Sequence, residues 1–219
     1  MFVNQNILFP KHADKSGVRT IYVSRHAKTV GNEQQVFQEW FDYDLSTVGV
    51  GEARVAREWW KKRSVSRIVS SPLLRARRTA ILLFGREADE LDAGWVELAV
   101  PTLAGLPLGD AVRRMPNVLR ADGWPRFDAS LSGQHEHVLT VAARTVDALR
   151  RAALSVPAGS NVAVVTHGAP LFALLTVAGV GESSPVGVVG NLATVEVTVD
   201  PAAEGGWSVV AVHHLLNKI

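Results

Sequence analysis

Two apolar segments of the chain have the pattern of buried β-strands, and each of them ends at a histidine. The β-branched and aromatic residues 21–23 run directly into Arg25 and His26, and the apolar residues 161–166 run into His167. In open α/β sheets, ligands bind beyond the carboxyl ends of the strands, so these positions suit functional side chains. Taken alone, the first pair is more simply a surface arginine beside a partly buried histidine.

The hydrophobic periodicity elsewhere predicts strands that alternate with helices. Apolar residues recur at helical spacing in residues 135–154, and Ser46 is a fitting N-cap for a helix over 46–63. The alternation indicates an α/β fold, a three-layer sandwich with a mostly parallel central sheet and helices on both faces. The other predicted elements are a long loop at 28–44, a strand at 67–70, a helix starting at Ser71 and Pro72, a strand at 95–100, helix and loop at 108–124, a helix at 171–178, and a closing hairpin of strands 193–199 and 207–213.

The composition is that of an ordinary globular chain. With 219 residues, 47% of them hydrophobic and 20% charged, the sequence predicts one domain over 1–219, in which residues 1–19 form an N-terminal extension. The chain has no cysteine, which excludes thiol catalysis and fits a reducing compartment, and its start lacks the pattern of a signal peptide. The most apolar segment, 169–180, is too short to span a membrane. We therefore expect a cytoplasmic protein without a membrane partner.

Positive charge is concentrated in one stretch, although the net charge is only +2. The small net charge gives no reason to expect a nucleic-acid partner. Two interpretations of the stretch are open, namely the solvated faces of two helices or a field that attracts anionic substrates. Between positions 54 and 78 a single acid, Glu58, is accompanied by nine cations: Arg54, Arg57, Lys61, Lys62, Arg63, Arg67, Arg75, Arg77 and Arg78.

Three short motifs, each following a predicted strand, resemble those of a known family. They are Arg25-His26-Ala27, the segment 71–79 with the pattern Ser-x-x-x-Arg-Ala-x-x-Thr, and Thr166-His167-Gly168. Together they resemble the histidine phosphatase superfamily, which has the phosphoglycerate-mutase-like fold. Residues 25–53 are also similar, without a gap, to the cofactor-dependent phosphoglycerate mutases.

The resemblance implies that these residues handle a phosphate monoester. Such a group carries close to two negative charges, and planar arginine side chains match its oxygens. Arg25 and Arg75 are therefore expected to bind the phosphate. The resemblance adds His167 and Gly168 to the same site and makes His26 the nucleophile that forms a phosphohistidine. His26 must be neutral to attack, and two nearby guanidinium groups favour that form.

A general acid is also needed, because the leaving alkoxide must receive a proton. Members of this family use a Glu or Asp a short distance after the second motif, and Glu97 is the candidate here. The alternative is that Glu97 is an ordinary exposed strand residue, and Asp92 and Asp110 are the reserve candidates. Asn32 either contacts the phosphate or substrate or caps its own loop.

Three features modify the expected pocket. Ala27 replaces the motif glycine and adds a methyl group beside the nucleophile. Lys28 replaces an acidic residue that is common in the mutases, which predicts a more cationic pocket. Six aromatic residues are candidates either for an apolar wall of the site or for the core: Phe37, Trp40, Phe41, Tyr43, Trp95 and Trp124.

Three functional hypotheses follow. The first is a metal-independent phosphatase that hydrolyses a small phosphorylated substrate through a phosphohistidine on His26. The second is a cofactor-dependent phosphoglycerate mutase, and the third is a non-catalytic phosphate-binding or regulatory protein. We expect no nucleotide or other cofactor, since the glycine-rich motifs that bind one are missing, and no metal, since the histidine pairs lack zinc-site spacing. The sequence carries no signal for oligomeric state.

Overall fold

The computed structural model describes residues 17–126, 135–180, 189–203 and 205–216. Within them the sheet has six strands in the order β3-β2-β4-β1-β5-β6. The strands from β3 to β1 are parallel, whereas β5 and β6 extend the sheet as an antiparallel pair. The predicted mostly parallel sheet and closing hairpin are therefore confirmed. The strands are β1 (Arg19–Arg25), β2 (Arg67–Ser70), β3 (Glu90–Leu91), β4 (Asn161–Thr166), β5 (Ala193–Val199) and β6 (Trp207–His214).

Helices cover both faces of the sheet, as predicted. The helices of the described residues are α1 (Val30–Glu33), α2 (Thr47–Lys61), α3 (Leu74–Phe84), α4 (Leu108–Arg114), α5 (Val138–Leu154) and α6 (Gly168–Val177). Tyr22 of β1 packs with Ala56 of α2 and Ala80 of α3, whereas the neighbouring Ile21 packs with Leu149 of α5 on the opposite face. Successive strand residues point to opposite faces, so both sets are apolar. None of these helices combines the length and apolar character needed to cross a membrane.

The first turn of α2 lies directly against the backbone that follows β1. Ser46 caps this helix, as predicted, because its hydroxyl accepts the amide of Gly49 at 3.1 Å. A Cβ atom at Gly49 would stand 1.9 Å from the carbonyl oxygen of Lys28. Glycine is therefore required for the helix to approach the segment that carries His26.

The predicted third strand at 95–100 is wrong. The strand is Glu90–Leu91, and the chain then forms a 3₁₀ turn at Ala93–Trp95. Asp92 accepts the amide of Gly94 at 2.7 Å and so caps this turn. Glu97 therefore lies in a loop rather than at the end of a strand.

Three helix starts also differ from the prediction, and one of them is that of α6, which begins at Gly168 rather than at residue 171. The helix after β2 begins at Leu74 rather than at Ser71 and Pro72, because the hydroxyl of Ser71 is bonded to His167 instead of capping the first turn. The helix at 135–154 begins at Val138, with His137 as its N-cap. Within the predicted long loop at 28–44, residues 30–33 form the short helix α1.

Candidate active site

The carboxyl ends of the parallel strands bring both histidines to one edge of the sheet. The register pairs Arg25 of β1 with Thr166 of β4, and the residues that follow are His26 and His167. Their rings are buried, with centroids 5.3 Å apart. Ser71 follows β2 at the same edge, so the three sequence motifs meet there.

The His26 ring has a defined orientation. Its Nδ1 lies 2.8 Å from the carbonyl oxygen of Ala27 and donates to it when that nitrogen carries the proton. Burial lowers the pKa of His26 well below 6.5, and the positive charges of Arg75 and Arg25 lower that pKa further. At neutral pH the imidazole is therefore uncharged, and its Nε2 is the nitrogen with a free lone pair.

His167 is held through its other nitrogen. Its Nε2 lies 2.7 Å from the hydroxyl of Ser71, whereas its buried Nδ1 has no hydrogen-bond partner among the described residues. Burial lowers the pKa of His167 well below its usual range, and Arg75, His26 and Arg25 lower it further. If the Ser71 hydroxyl donates to Nε2, the neutral ring carries its proton on Nδ1, where it is a hydrogen-bond donor.

Arg25 and Arg75 each have a buried nitrogen without a hydrogen-bond partner among the described residues. Arg25 Nη1 donates to the carbonyl of Val189 at 2.7 Å, and Arg75 donates to the carbonyls of Glu39 and Phe41 at 2.6 and 2.9 Å. The Nε of each arginine is buried, and within the described part of the chain neither has a partner. Burial lowers the pKa of Arg75 to about 10, so the side chain remains charged at neutral pH.

Glu97 lies at the amino end of α6. Its carboxylate accepts the backbone amides of Gly168 and Ala169 at 3.2 and 3.0 Å and that of Leu98 at 2.9 Å. Its negative charge acts on Arg25 and Arg75, raising the pKa of both against the effect of burial. The interpretation of Glu97 as an ordinary exposed strand residue is therefore wrong.

Asn32 caps its own loop and also lines the site cavity. Its Oδ1 accepts the backbone amide of Thr29 at 3.1 Å, which completes a capping box at α1. Asn191 donates to the same oxygen at 3.3 Å and to the backbone carbonyl of His26 at 3.0 Å. Asn191 was not predicted from the sequence, because it lies 165 positions from the histidine whose backbone it holds.

A cavity of about 330 Å³ lies at this site, and its lining residues include neither His167 nor Asn191. Arg25, His26, Asn32, Arg75, Glu97 and Gly168 line it. A second glutamate, Glu39, lies in the same wall and was not predicted, because it belongs to none of the three motifs. Of the six aromatic candidates, Phe37 and Trp124 line the cavity, whereas Trp95 belongs to the core.

Trp124 forms a wall beside the third motif. Its ring stacks on Phe172 with centroids 5.5 Å apart, and the guanidinium of Arg25 lies 5.7 Å from its centroid. A Cβ atom at Gly168 would come within 2.8 Å of this ring. The motif glycine therefore lets the indole pack closely against the amino end of α6.

One expectation about a nearby residue is wrong. Lys28 does not make the cavity more cationic, since its side chain pairs with Glu52 at 3.4 Å and lies outside the lining. Asp92 pairs with Arg151, and neither Asp92 nor Asp110 lines the cavity. Ala27 is buried, and its backbone is not in the left-handed region, so its methyl group is accommodated. Among the described residues no three His, Asp or Glu side chains are grouped to hold a metal ion.

The protein is an α/β protein of the class that has a polar crevice beyond the carboxyl ends of the parallel strands. The sequence model of the histidine phosphatase superfamily (branch 1) matches residues 21–213. The chain therefore belongs to that superfamily, and its resemblance to the family at the three motifs is confirmed.

Some of the proteins to which this chain is similar are named phosphoglycerate mutases, and others are named phosphatases. A 2,3-bisphosphoglycerate-dependent phosphoglycerate mutase of a Methylobacterium species is 30% identical over 73% of this chain and 80% of its own length. A Hydrogenobacter thermophilus protein named phosphoserine phosphatase 2 is 42% identical, but that match covers only 30% of this chain and 32% of the relative. The solved structure of a mycobacterial glucosyl-3-phosphoglycerate phosphatase is 25% identical, with a TM-score of 0.71, and the match covers 88% of this chain and 97% of that one.

Proposed function

We propose that the protein is a metal-independent phosphatase that hydrolyses phosphate monoesters through a phosphohistidine on His26. One observation carries the proposal. Three buried nitrogens without a partner among the described residues, Arg25 Nε, Arg75 Nε and His167 Nδ1, belong to side chains grouped around the neutral ring of His26. Buried polar groups normally have partners, so three such nitrogens around one imidazole suit an anion with several acceptor oxygens.

The charges of the site suit a phosphate dianion. Arg25 and Arg75 together supply two positive charges, which match the nearly two negative charges of a phosphate monoester. His167 adds a neutral donor, and Asn32 has a side-chain amide nitrogen with no partner among the described residues. Binding therefore needs neither a metal ion nor a change of protonation at neutral pH.

His26 is proposed to attack the phosphorus through Nε2. Its Nδ1 proton remains on the bond to Ala27, which keeps the lone pair on the opposite nitrogen. As the new N–P bond forms, the ester P–O bond breaks and the alcohol leaves with that electron pair. Arg25 and Arg75 stabilise the charge that spreads over the phosphoryl oxygens.

Glu97 is proposed to move the protons. In its acid form it gives a proton to the leaving oxygen, and the resulting carboxylate then takes a proton from the attacking water. Attack of that water breaks the N–P bond, releases phosphate and regenerates neutral His26. The position of Glu97 in the cavity wall supports this role.

Two alternatives use the same site. The Methylobacterium relative is named a phosphoglycerate mutase, and a mutase returns the phosphoryl group to a second alcohol rather than to water. A non-catalytic protein would bind phosphate without turnover. Interconversion of 3- and 2-phosphoglycerate in the presence of a bisphosphoglycerate primer identifies the first, and phosphate binding without hydrolysis of any ester identifies the second.

The test of the proposal is hydrolysis of a generic aryl phosphate in the presence of a chelator. We expect turnover that the chelator does not reduce, and a loss of at least about a thousandfold in kcat/KM in His26→Ala, since the nucleophile is removed. His214→Ala is the matched control, because His214 ends β6 and does not line the cavity. Full activity in His26→Ala would refute the proposal.

A further inference from the structure

The cavity lining supplies two permanent positive charges. Among the described lining residues, Arg25 and Arg75 are the only arginines and there is no lysine. Three carboxylates share the same lining, namely Glu39, Glu97 and Asp122. A bound phosphate dianion would therefore use both permanent positive charges, and the remaining charge of the wall is negative.

Nearby cations are already paired. Arg120 bonds to Asp122 at 2.9 Å, and Arg144 bonds to Glu136 at 2.6 Å. Arg126, which follows the lining residue Pro125, also has a partner. These cations of the described residues are therefore already engaged within the protein.

Of these three carboxylates, Glu39 accepts the fewest hydrogen bonds from the described residues. Glu97 accepts three backbone amides, and Asp122 accepts both Arg120 and the amide of Trp124. Glu39 is buried, and its Oε2 accepts only the adjacent amide of Trp40. Arg75 is the cation that acts on Glu39, and a bound phosphate would already engage it, so a second anionic group of a substrate would be repelled by this carboxylate.

The rest of the wall combines an apolar surface with the uncharged amide side chains of Asn32, Gln35 and Gln38. Trp124 is fixed by its stacking on Phe172, so it offers a rigid aromatic face. Such a surface favours contact with hydrocarbon or a ring rather than with a strongly hydrated group. The apolar lining residues are Val36, Phe37, Leu98, Leu108, Trp124, Pro125 and Ala169.

We propose that the substrate is a phosphate monoester of an alcohol that carries no negative charge and presents apolar surface, and that Glu39 enforces this selection. The inference rests on the proposed phosphatase function and adds the substrate class. Esters whose alcohol carries a carboxylate, such as the phosphoglycerates, are excluded by charge. Esters of neutral or cationic alcohols are accepted.

Three esters of matched shape test the substrate class. Benzyl phosphate, its 4-carboxy derivative and its 4-aminomethyl derivative differ mainly in the charge of the alcohol. We expect kcat/KM for the neutral and cationic esters to exceed that for the carboxylate by at least about tenfold. Equal or faster hydrolysis of the carboxylate ester, or of 3-phosphoglycerate, would overturn the inference.

A binding measurement distinguishes failure of this inference from failure of the phosphatase proposal. The same three esters are titrated calorimetrically into His26→Ala, where discrimination is measured without turnover. If no ester is hydrolysed by the unaltered protein but the carboxylate ester binds at least about tenfold more weakly, the phosphatase proposal fails and the charge selection stands. Equal binding of all three would overturn the charge selection.

Glu39→Gln tests the residue assignment. The amide oxygen can still accept from Trp40, and the backbone carbonyl that binds Arg75 is retained. We expect the ratio of kcat/KM for the neutral ester to kcat/KM for the carboxylate ester to fall at least about threefold, because one negative charge is removed. Glu87→Gln, an exposed glutamate outside the cavity, is the matched control. An unchanged ratio in Glu39→Gln would refute the role of Glu39.

Discussion

The backbone of Ala27 connects the His26 ring to the helix that carries Arg75. Its carbonyl accepts from His26 Nδ1 at 2.8 Å, and its amide donates to the hydroxyl of Thr79 at 3.0 Å. That hydroxyl in turn donates to the backbone carbonyl of Arg75 at 2.7 Å. A continuous chain of hydrogen bonds therefore links the orientation of the His26 ring to the helix that carries Arg75.

Replacement of Thr79 by valine tests this link. Valine keeps the shape of the side chain but leaves the buried amide of Ala27 without an acceptor, so the His26 ring loses its fixed support. We expect kcat to fall about ten- to a hundredfold with a smaller change in KM, and Thr79→Ser to restore most of the rate. Steady-state kinetics on an aryl phosphate give both values.

Thr176→Val is the matched control for this substitution. Thr176 makes the same kind of hydroxyl bond to the carbonyl four residues earlier, in α6, but it accepts no amide near His26. An equal loss of kcat in both variants, or no rescue by serine at position 79, would contradict a positioning role for Thr79.

At the scale of elements, a strand could be predicted where its own residues carry the pattern. The conformation of a segment that depends on contacts with distant residues could not. Strands β1 and β4 each have an apolar centre and are each followed by a histidine, so both their type and their carboxyl ends could be predicted. The segment 95–100 also has an apolar pattern, and Trp95, Leu98 and Val100 are indeed buried. The segment is therefore buried, but its backbone forms turns and loop rather than a strand.

Arg144 explains why the segment at 95–100 is not a strand. Its guanidinium, on α5, donates to the carbonyls of Gly94, Val96 and Glu97 at 2.9, 2.7 and 3.2 Å. These backbone acceptors are therefore satisfied by a side chain instead of a neighbouring strand. An arginine about 50 residues away leaves no trace in the local sequence pattern.

The candidate site shows the same division. Motifs predicted the histidines and arginines, because the chemistry of phosphate restricts the residue types. Glu39 and Asn191 were missed, because their places depend on the fold of loops. Glu39 has a backbone φ of 49°, a conformation that costs energy for a residue with a side chain, and Arg75 binds its carbonyl at 2.6 Å.

At the scale of the whole molecule, the basic stretch between Arg54 and Arg78 is mainly a set of solvated helix faces. Lys61 pairs with Glu58, Arg67 with Glu90, and Arg78 with Asp44. Arg75 is the single member of the stretch among the described lining residues of the cavity. The interpretation of the stretch as a field for anionic substrates therefore has little support.

Stability should depend on pH through the two buried histidines. The pKa values of His26 and His167 are lowered in the folded protein, so below about pH 6.5 the unfolded chain binds protons that the folded chain does not. The free energy of unfolding is then constant above that pH and falls as the pH decreases. We expect a slope that approaches about 1.4 kcal/mol per pH unit for each histidine.

Urea unfolding from about pH 7.5 to about pH 5.5 measures this slope. His26→Gln should reduce it by about half, because one of the two shifted groups is removed. His213→Gln is the control, since His213 lies on β6, away from the cavity. A free energy of unfolding that stays constant across this range in the unaltered protein would contradict the buried, uncharged state of both rings.

The covalent state of His26 during turnover tests the central claim most directly. The protein is mixed with a radiolabelled aryl phosphate, quenched in alkali during the first turnover, digested and mapped by mass spectrometry. The proposal predicts a phosphoryl group that is stable in alkali, labile in acid, located on His26 and missing in His26→Ala. Turnover without any labelled protein, or an acid-stable label on another residue, would contradict it.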